Sequence, residues 1–187
     1  MNDWTQLPDD LPVPEDDGGA RHLPGLELPI TRLPGTHGRT VDLSSLSGRV
    51  VVFCYPRTGE PNVPNPDGWD AIPGARGCTP QSCAFRDAHA DLLAHGVSHV
   101  FGLSTQPTAY QREVAERLDL PYPLLSDHTL DFASTINLPT FRVDGMVLLK
   151  RLTLIIEDGA IGHVFYPVFP PHTNAADVLG FIRRYPR

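Results

Sequence analysis

Nowhere do these 187 residues gather the basic run that marks a nucleic-acid or anionic-membrane surface. Asp and Glu number 22 against 15 Lys and Arg, a formal net charge of −7. No apolar stretch approaches the ~18–20 residues that a membrane-spanning helix needs. The segment from Met1 to Ala20 lacks the charged start and apolar run of a secretory signal, so a cytoplasmic protein is expected. Cysteine is scarce. Cys54, Cys78 and Cys83 are too few and too close for the disulfide framework of a secreted domain. In a reducing compartment a close pair points instead to catalysis, redox exchange or metal binding.

Proline and glycine are abundant, at 20 and 16 residues, about a fifth of the chain where ~12% is usual. They cluster at the N-terminus, around residues 56–80 and near 167–171. Residues 1–20 are acidic, Pro-rich and poor in apolar side chains, and are expected as a flexible tail, disordered or loosely docked. Residues 21–187 then form one domain, since 41% apolar residues suffice for a single core.

Short strands and turns are expected over 23–46. The run Arg49 to Tyr55 is apolar without alternation, as in a strand buried on both faces, and Pro56 ends it. The density of Pro and Gly over 56–77 leaves only a long loop, and such loops are usually functional. Cys78 to His95 reads as a helix with Phe85, Leu92 and Leu93 as its apolar stripe and Gly96 as its stop. Strands over 98–104 and 123–127, a helix over 110–118 and a weak helix over 129–136 follow. Met146 to Glu157 and Ile161 to Tyr166 form a hairpin across Asp158-Gly159, and Asn174 to Arg184 closes the chain as a helix. The pattern is α/β, a mixed sheet with helices on both faces.

Cys78 falls between a Gly-rich loop and the first turn of its helix. Unpaired backbone N–H groups and the positive end of the helix dipole favour a thiolate there, with Arg76 a further positive charge, and the thiolate is the nucleophile. Cys83 lies five positions on, which in a helix is ~140° of net rotation and ~7.5 Å of rise. A disulfide needs Cα atoms within ~7 Å and facing Cβ vectors. The pair therefore never bridges, or the helix unwinds, which Thr79 and Pro80 in its first turn make easier.

The segment Gly77-Cys78-Thr79-Pro80-Gln81-Ser82-Cys83-Ala84-Phe85-Arg86-Asp87 resembles the active-site segment of Q-type peroxiredoxins, also called bacterioferritin comigratory proteins. Four further stretches resemble the same family in the same order: 50–56, ending Tyr55-Pro56; 101–105; 124–127; and 150–159, the strand bearing the family's active-site arginine. The resemblance implies a thioredoxin-like fold and a thiol peroxidase that needs no cofactor and no metal. It makes Cys78 the peroxidatic cysteine, oxidised by hydroperoxide to sulfenic acid. It makes Cys83 the resolving cysteine, closing an intramolecular Cys78–Cys83 disulfide after local helix unfolding. Arg151 becomes the residue that stabilises thiolate and transition state. Thioredoxin or a similar dithiol is the implied reductant, the protein a monomer or homodimer. The family's Pro, three residues, Thr or Ser, two residues, Cys is split here by the insertion at 59–77. Ala75 stands three before Cys78, and the hydroxyl is left to Thr58.

Each reading has a plainer rival. Cys78 is alternatively an inert buried thiol, Cys83 a residue of a helix face, and Arg151 a surface residue of an edge strand. Cys54, within an apolar strand, reads as core. Trp69 in the insertion caps either the site or a partner surface, and residues 166–171 read as a packed loop near the site. His89 and His95 lie about 240° apart on one helix and share no metal face. A thiol–disulfide oxidoreductase normally carries Cys-x-x-Cys, not this spacing; a non-catalytic redox sensor is the remaining alternative.

Overall fold

The strand Arg49–Cys54 lies at the centre of a five-stranded sheet, and all six of its residues are buried. The computed structural model describes residues 7–8, 10–60 and 63–187, so parts of the expected tail (1–6 and 9) and of the insertion (61–62) lie outside the described residues. Two short antiparallel strands come first, β1 (Leu33–Pro34) and β2 (Thr40–Val41). The central strand is β3. It pairs in parallel with β4 (Val97–Ser104), which pairs in parallel with β5 (Leu124–Ser126). On its other side β3 is antiparallel to β8 (Leu152–Glu157), and β8 to the edge strand β9 (Ala160–Phe165). Helix α1 (Cys78–Ala94) crosses between β3 and β4, and α2 (Thr108–Arg117) between β4 and β5. The short α3 (Asp131–Thr135) follows β5, and α4 (Asn174–Arg184) closes the chain.

The alternation along β3 explains both layers. Val50, Val52 and Cys54 face a core completed by Phe132 of α3 and by Leu23, Leu28 and Leu33 from the chain before the sheet. Val51, Phe53 and Tyr55 face the other way, onto Phe85 and Leu92 of α1, Val114 of α2 and Val178 and Ile182 of α4. Phe53 stacks on Phe85 at 4.4 Å between ring centroids. Burying each such aromatic ring removes enough apolar surface to stabilise the fold by roughly 1.5–3 kcal/mol.

Two expectations need correction. The single strand expected over 146–157 is two: β7 (Met146–Leu149) and β8, broken at Lys150-Arg151. The strand β6 (Thr140–Val143), unread in the sequence, pairs with β7 across Asp144-Gly145, whose positive φ values of 47° and 73° suit a two-residue hairpin. Thus β7 has a partner of its own, and only β8 continues into the main sheet. Leu93 is 43% exposed, because it sits one residue, ~100° of helix, beyond the buried Leu92. The end of the expected tail is docked: Asp17 takes an ion pair from Lys150 at 2.6 Å and a hydrogen bond from the Tyr166 hydroxyl at 2.7 Å, and Ala20 is buried.

Candidate active site

Gly77 caps α1 with φ 104°, a backbone region open to glycine. A Cβ there would stand 2.3 Å from Cγ of Pro171. The loop over 166–171 therefore packs directly on the start of α1, with Val168 and Pro171 buried. Cys78 is the first residue of the helix and only 3% exposed.

The long loop after β3 is held by a small core of its own. Trp69 is buried with Ala75 and Leu148, against Ile72 of the same loop and Phe141 and Met146 from the β6–β7 hairpin, its ring 6.3 Å from that of Phe141. Asp70 pairs with Arg76 at 2.8 Å. Folded in this way, the loop aims the carbonyls of Gly74, Ala75 and Arg76 at one point. Arg151 fills that point: its Nη2 donates to them at 3.2, 3.1 and 3.1 Å and to the Cys78 Sγ at 3.2 Å.

The break between β7 and β8 is what delivers this guanidinium, which is 3% exposed and stands neither on a surface nor on an edge strand. Its Nη1 donates to Gln81 Oε1. Its partners are amide oxygens and a sulfur, none of them ionised when Cys78 is protonated, so the thiolate is the opposite charge on offer. The backbone N–H of Arg57 adds a second donor, 3.4 Å from Sγ. A protonated thiol has the carbonyl of Ala75 to donate to, at 3.7 Å.

A cavity of about 20 Å³ opens beside the sulfur, lined by Arg57, Thr58, Trp69 and Pro80 among others. That is room for roughly one water-sized group. Thr58 borders it, but both its N–H and its hydroxyl donate to Gln106 Oε1, at 3.0 and 3.1 Å. Gln106 returns a bond to the Thr58 carbonyl at 3.2 Å, and the Tyr110 hydroxyl donates there at 3.0 Å. A larger cavity of about 420 Å³ lies behind Arg151, between Pro14, Ile72, Phe141 and Tyr166, and Cys78 does not line it.

Cys83 is on the same unbroken helix and half-exposed; all three cysteines are free thiols. Burial pushes the Cys83 thiol up, against a smaller opposing pull from Arg86. Cys54 is fully buried on the far face of β3, where desolvation pushes its thiol far up and leaves it inert.

The structure thus brings Cys78 and Arg151 together with Thr58 at the rim, and holds Cys83 a helical turn and a half away. Sequence reading missed Gln81, Gln106 and Asn174. Gln81 lies inside the quoted cysteine segment and was findable there; the other two are neutral amides at positions no motif marks.

The redoxin family model matches residues 23–179. The chloroplastic peroxiredoxin Q of Oryza sativa subsp. japonica is 27% identical over 160 residues, covering 85% of this chain and 66% of that one. Its counterpart from Populus jackii is 33% identical over 160 residues, covering 85% and 67%. The chain spans about two thirds of the length of these curated plant relatives. The crystal structure of the peroxidoxin BcpB of Mycobacterium tuberculosis superposes with a TM-score of 0.71 at 27% identity, covering 88% of this chain and 99% of that one. The thioredoxin-like α/β fold expected from the resemblance therefore holds.

Proposed function

This chain belongs to the redoxin family, as a peroxiredoxin of the Q type, and on that premise we propose that it is a thiol-dependent peroxidase with Cys78 as nucleophile. The observation that carries the reading is the Cys78 sulfur at the start of α1, with the Arg151 guanidinium 3.2 Å and the Arg57 N–H 3.4 Å away.

The thiolate of Cys78 attacks the terminal oxygen of a hydroperoxide. The S–O bond forms as the O–O bond breaks, and the departing alkoxide or hydroxide takes the proton that the thiol gave up. Cysteine is oxidised by two electrons to the sulfenic acid, and the peroxide is reduced to an alcohol or water. Arg151 and the Arg57 N–H stabilise the charge moving from sulfur to oxygen. Thr58, its own proton spent on Gln106, accepts a hydrogen bond from the bound peroxide. The small cavity suits hydrogen peroxide or the head of an organic hydroperoxide.

Cys83 then attacks the sulfenic sulfur, forming the Cys78–Cys83 disulfide and releasing water. An intact α1 keeps the two thiols apart, so its first turn must unwind. A thioredoxin-type dithiol returns the pair to thiols and is itself oxidised to a disulfide. Among the described residues no helix is long and apolar enough to cross a membrane; the cytoplasmic location expected from the sequence is carried as part of the proposal.

One equivalent of hydrogen peroxide followed by mass spectrometry tests the chemistry: loss of two hydrogens with a Cys78–Cys83 cross-link is expected. Peroxide consumption with a thioredoxin system is expected as well. Insulin reduction without peroxide consumption points instead to a thiol–disulfide oxidoreductase, and neither activity to a redox sensor.

A further inference from the structure

A buried line of polar contacts leaves Arg151 on the side away from the sulfur. Arg151 Nη1 donates to Gln81 Oε1, Gln81 Nε2 donates to Asn174 Oδ1 at 2.9 Å, and the Thr153 hydroxyl donates to the same Oδ1 at 2.7 Å. Gln81, Thr153 and Asn174 are each at most 1% exposed. Asn174 is the first residue of α4, one past the N-cap Thr173, and its side-chain carbonyl is turned inward. Both acceptor sites of Oδ1 are used by donors from other elements.

This arrangement has a polarity. The guanidinium only donates, so Gln81 must turn its oxygen to Arg151 and its amide nitrogen to α4, where Asn174 Oδ1 accepts from it and from the Thr153 hydroxyl. Reversing the Gln81 amide would set N–H groups against N–H groups on Arg151. Asn174 thereby holds Gln81 in the one orientation that the guanidinium can use. Gln81 also lies between Cys78 and Cys83, inside the turn that has to open for a disulfide. Opening it removes Gln81 from both neighbours at once. Every bond that Asn174 makes to Gln81 therefore favours the wound turn, where the sulfur meets peroxide, over the open turn, where it meets Cys83.

We propose that Asn174, anchored by Thr153, is a positioning residue that orients Arg151 through Gln81 and so sets the balance between peroxide attack and disulfide formation. The inference rests on the roles given to Cys78 and Cys83 above. It places control of the two steps on α4, a helix with no reacting atom.

The test is rapid-quench alkylation of the full chain after mixing with hydrogen peroxide, read by mass spectrometry as thiol, sulfenic acid and disulfide. Asn174→Ala slows sulfenic acid formation and speeds disulfide closure, so the ratio of the two rate constants falls about tenfold, the equilibrium worth of one buried neutral hydrogen bond. Thr153→Val, which keeps shape but not the hydroxyl, shifts the ratio the same way by less, and remains informative if Asn174→Ala does not fold. Thr153→Ser restores the wild-type ratio. Val178→Ala, a core truncation on α4 outside the line of contacts, lowers stability and leaves the ratio alone. An unchanged ratio in Asn174→Ala and Thr153→Val, with a wild type that forms both species, overturns this inference and leaves the peroxidase intact. A wild type in which Cys78 is never oxidised overturns the peroxidase reading itself, and the inference with it.

Discussion

Arg151 and Cys78 stand 73 residues apart in the chain and 3.2 Å apart in space, the guanidinium fixed from behind by three loop carbonyls and by Gln81. Nothing about the sulfur's helix position brings the arginine there. The break between β7 and β8 does, together with a loop that folds around Trp69.

Cys78→Ser is expected to abolish peroxide reduction, since among the described residues no other thiol begins a helix. Cys54→Ser keeps its turnover, because that thiol faces the opposite core. Steady-state peroxide consumption of the two variants checks both statements.

Arg151→Ala should lower the second-order rate constant for peroxide by about 10²-fold or more, the usual consequence of removing one transition-state donor. Arg151→Lys recovers little of it. A single ammonium cannot reach Gln81, three carbonyls and the sulfur in the planar fork the site is built around.

Cys83→Ser should accumulate the sulfenic acid and pass on to sulfinic acid more readily, since nothing intercepts the intermediate. In the wild type, the oxidised protein should exchange amide hydrogens faster over residues 78–86 than the reduced protein. A disulfide formed with protection unchanged over that stretch contradicts the unwinding step.

Gly77→Ala tests the seat of α1. The new Cβ meets Pro171 Cγ at 2.3 Å and is disfavoured at a φ of 104°, so a loss of roughly 1–3 kcal/mol is expected from strain of this kind. A lower urea midpoint with an unchanged slope reports it.

Stability should also fall in alkali. Burial raises the Cys54 thiol above its ordinary 9.0 and the Tyr55 phenol above its ordinary 10.0. Both stay neutral in the fold while the unfolded chain ionises. The stabilisation from Cys54 is complete below about pH 9 and that from Tyr55 below about pH 10; above its own value each group loses about 1.4 kcal/mol per pH unit. Urea midpoints from pH 8 to 11 show the decline, and Cys54→Val makes it shallower by one proton.

The amino-acid sequence by itself determined whatever depends on neighbours along the chain. The unbroken apolar run of β3, the Gly77-Cys78 start of α1, the Asp158-Gly159 turn and the span of α4 follow from local backbone and hydrophobic rules that act over a few residues. The cysteine spacing alone showed that an intact helix keeps the two thiols from bridging. Only the tertiary structure decided that Lys150-Arg151 would be a break and not mid-strand, because that depended on β6 claiming β7 as a partner. It decided that Trp69 would build a small core, that Thr58 would give its proton to Gln106, and that Leu93 would face solvent. Above all it decided the polar line from Thr153 through Asn174 and Gln81 to Arg151. Thr153 and Asn174 carry no pattern in the sequence, and their partners are chosen only when strands and helices distant in the chain pack close enough for buried donors to find acceptors.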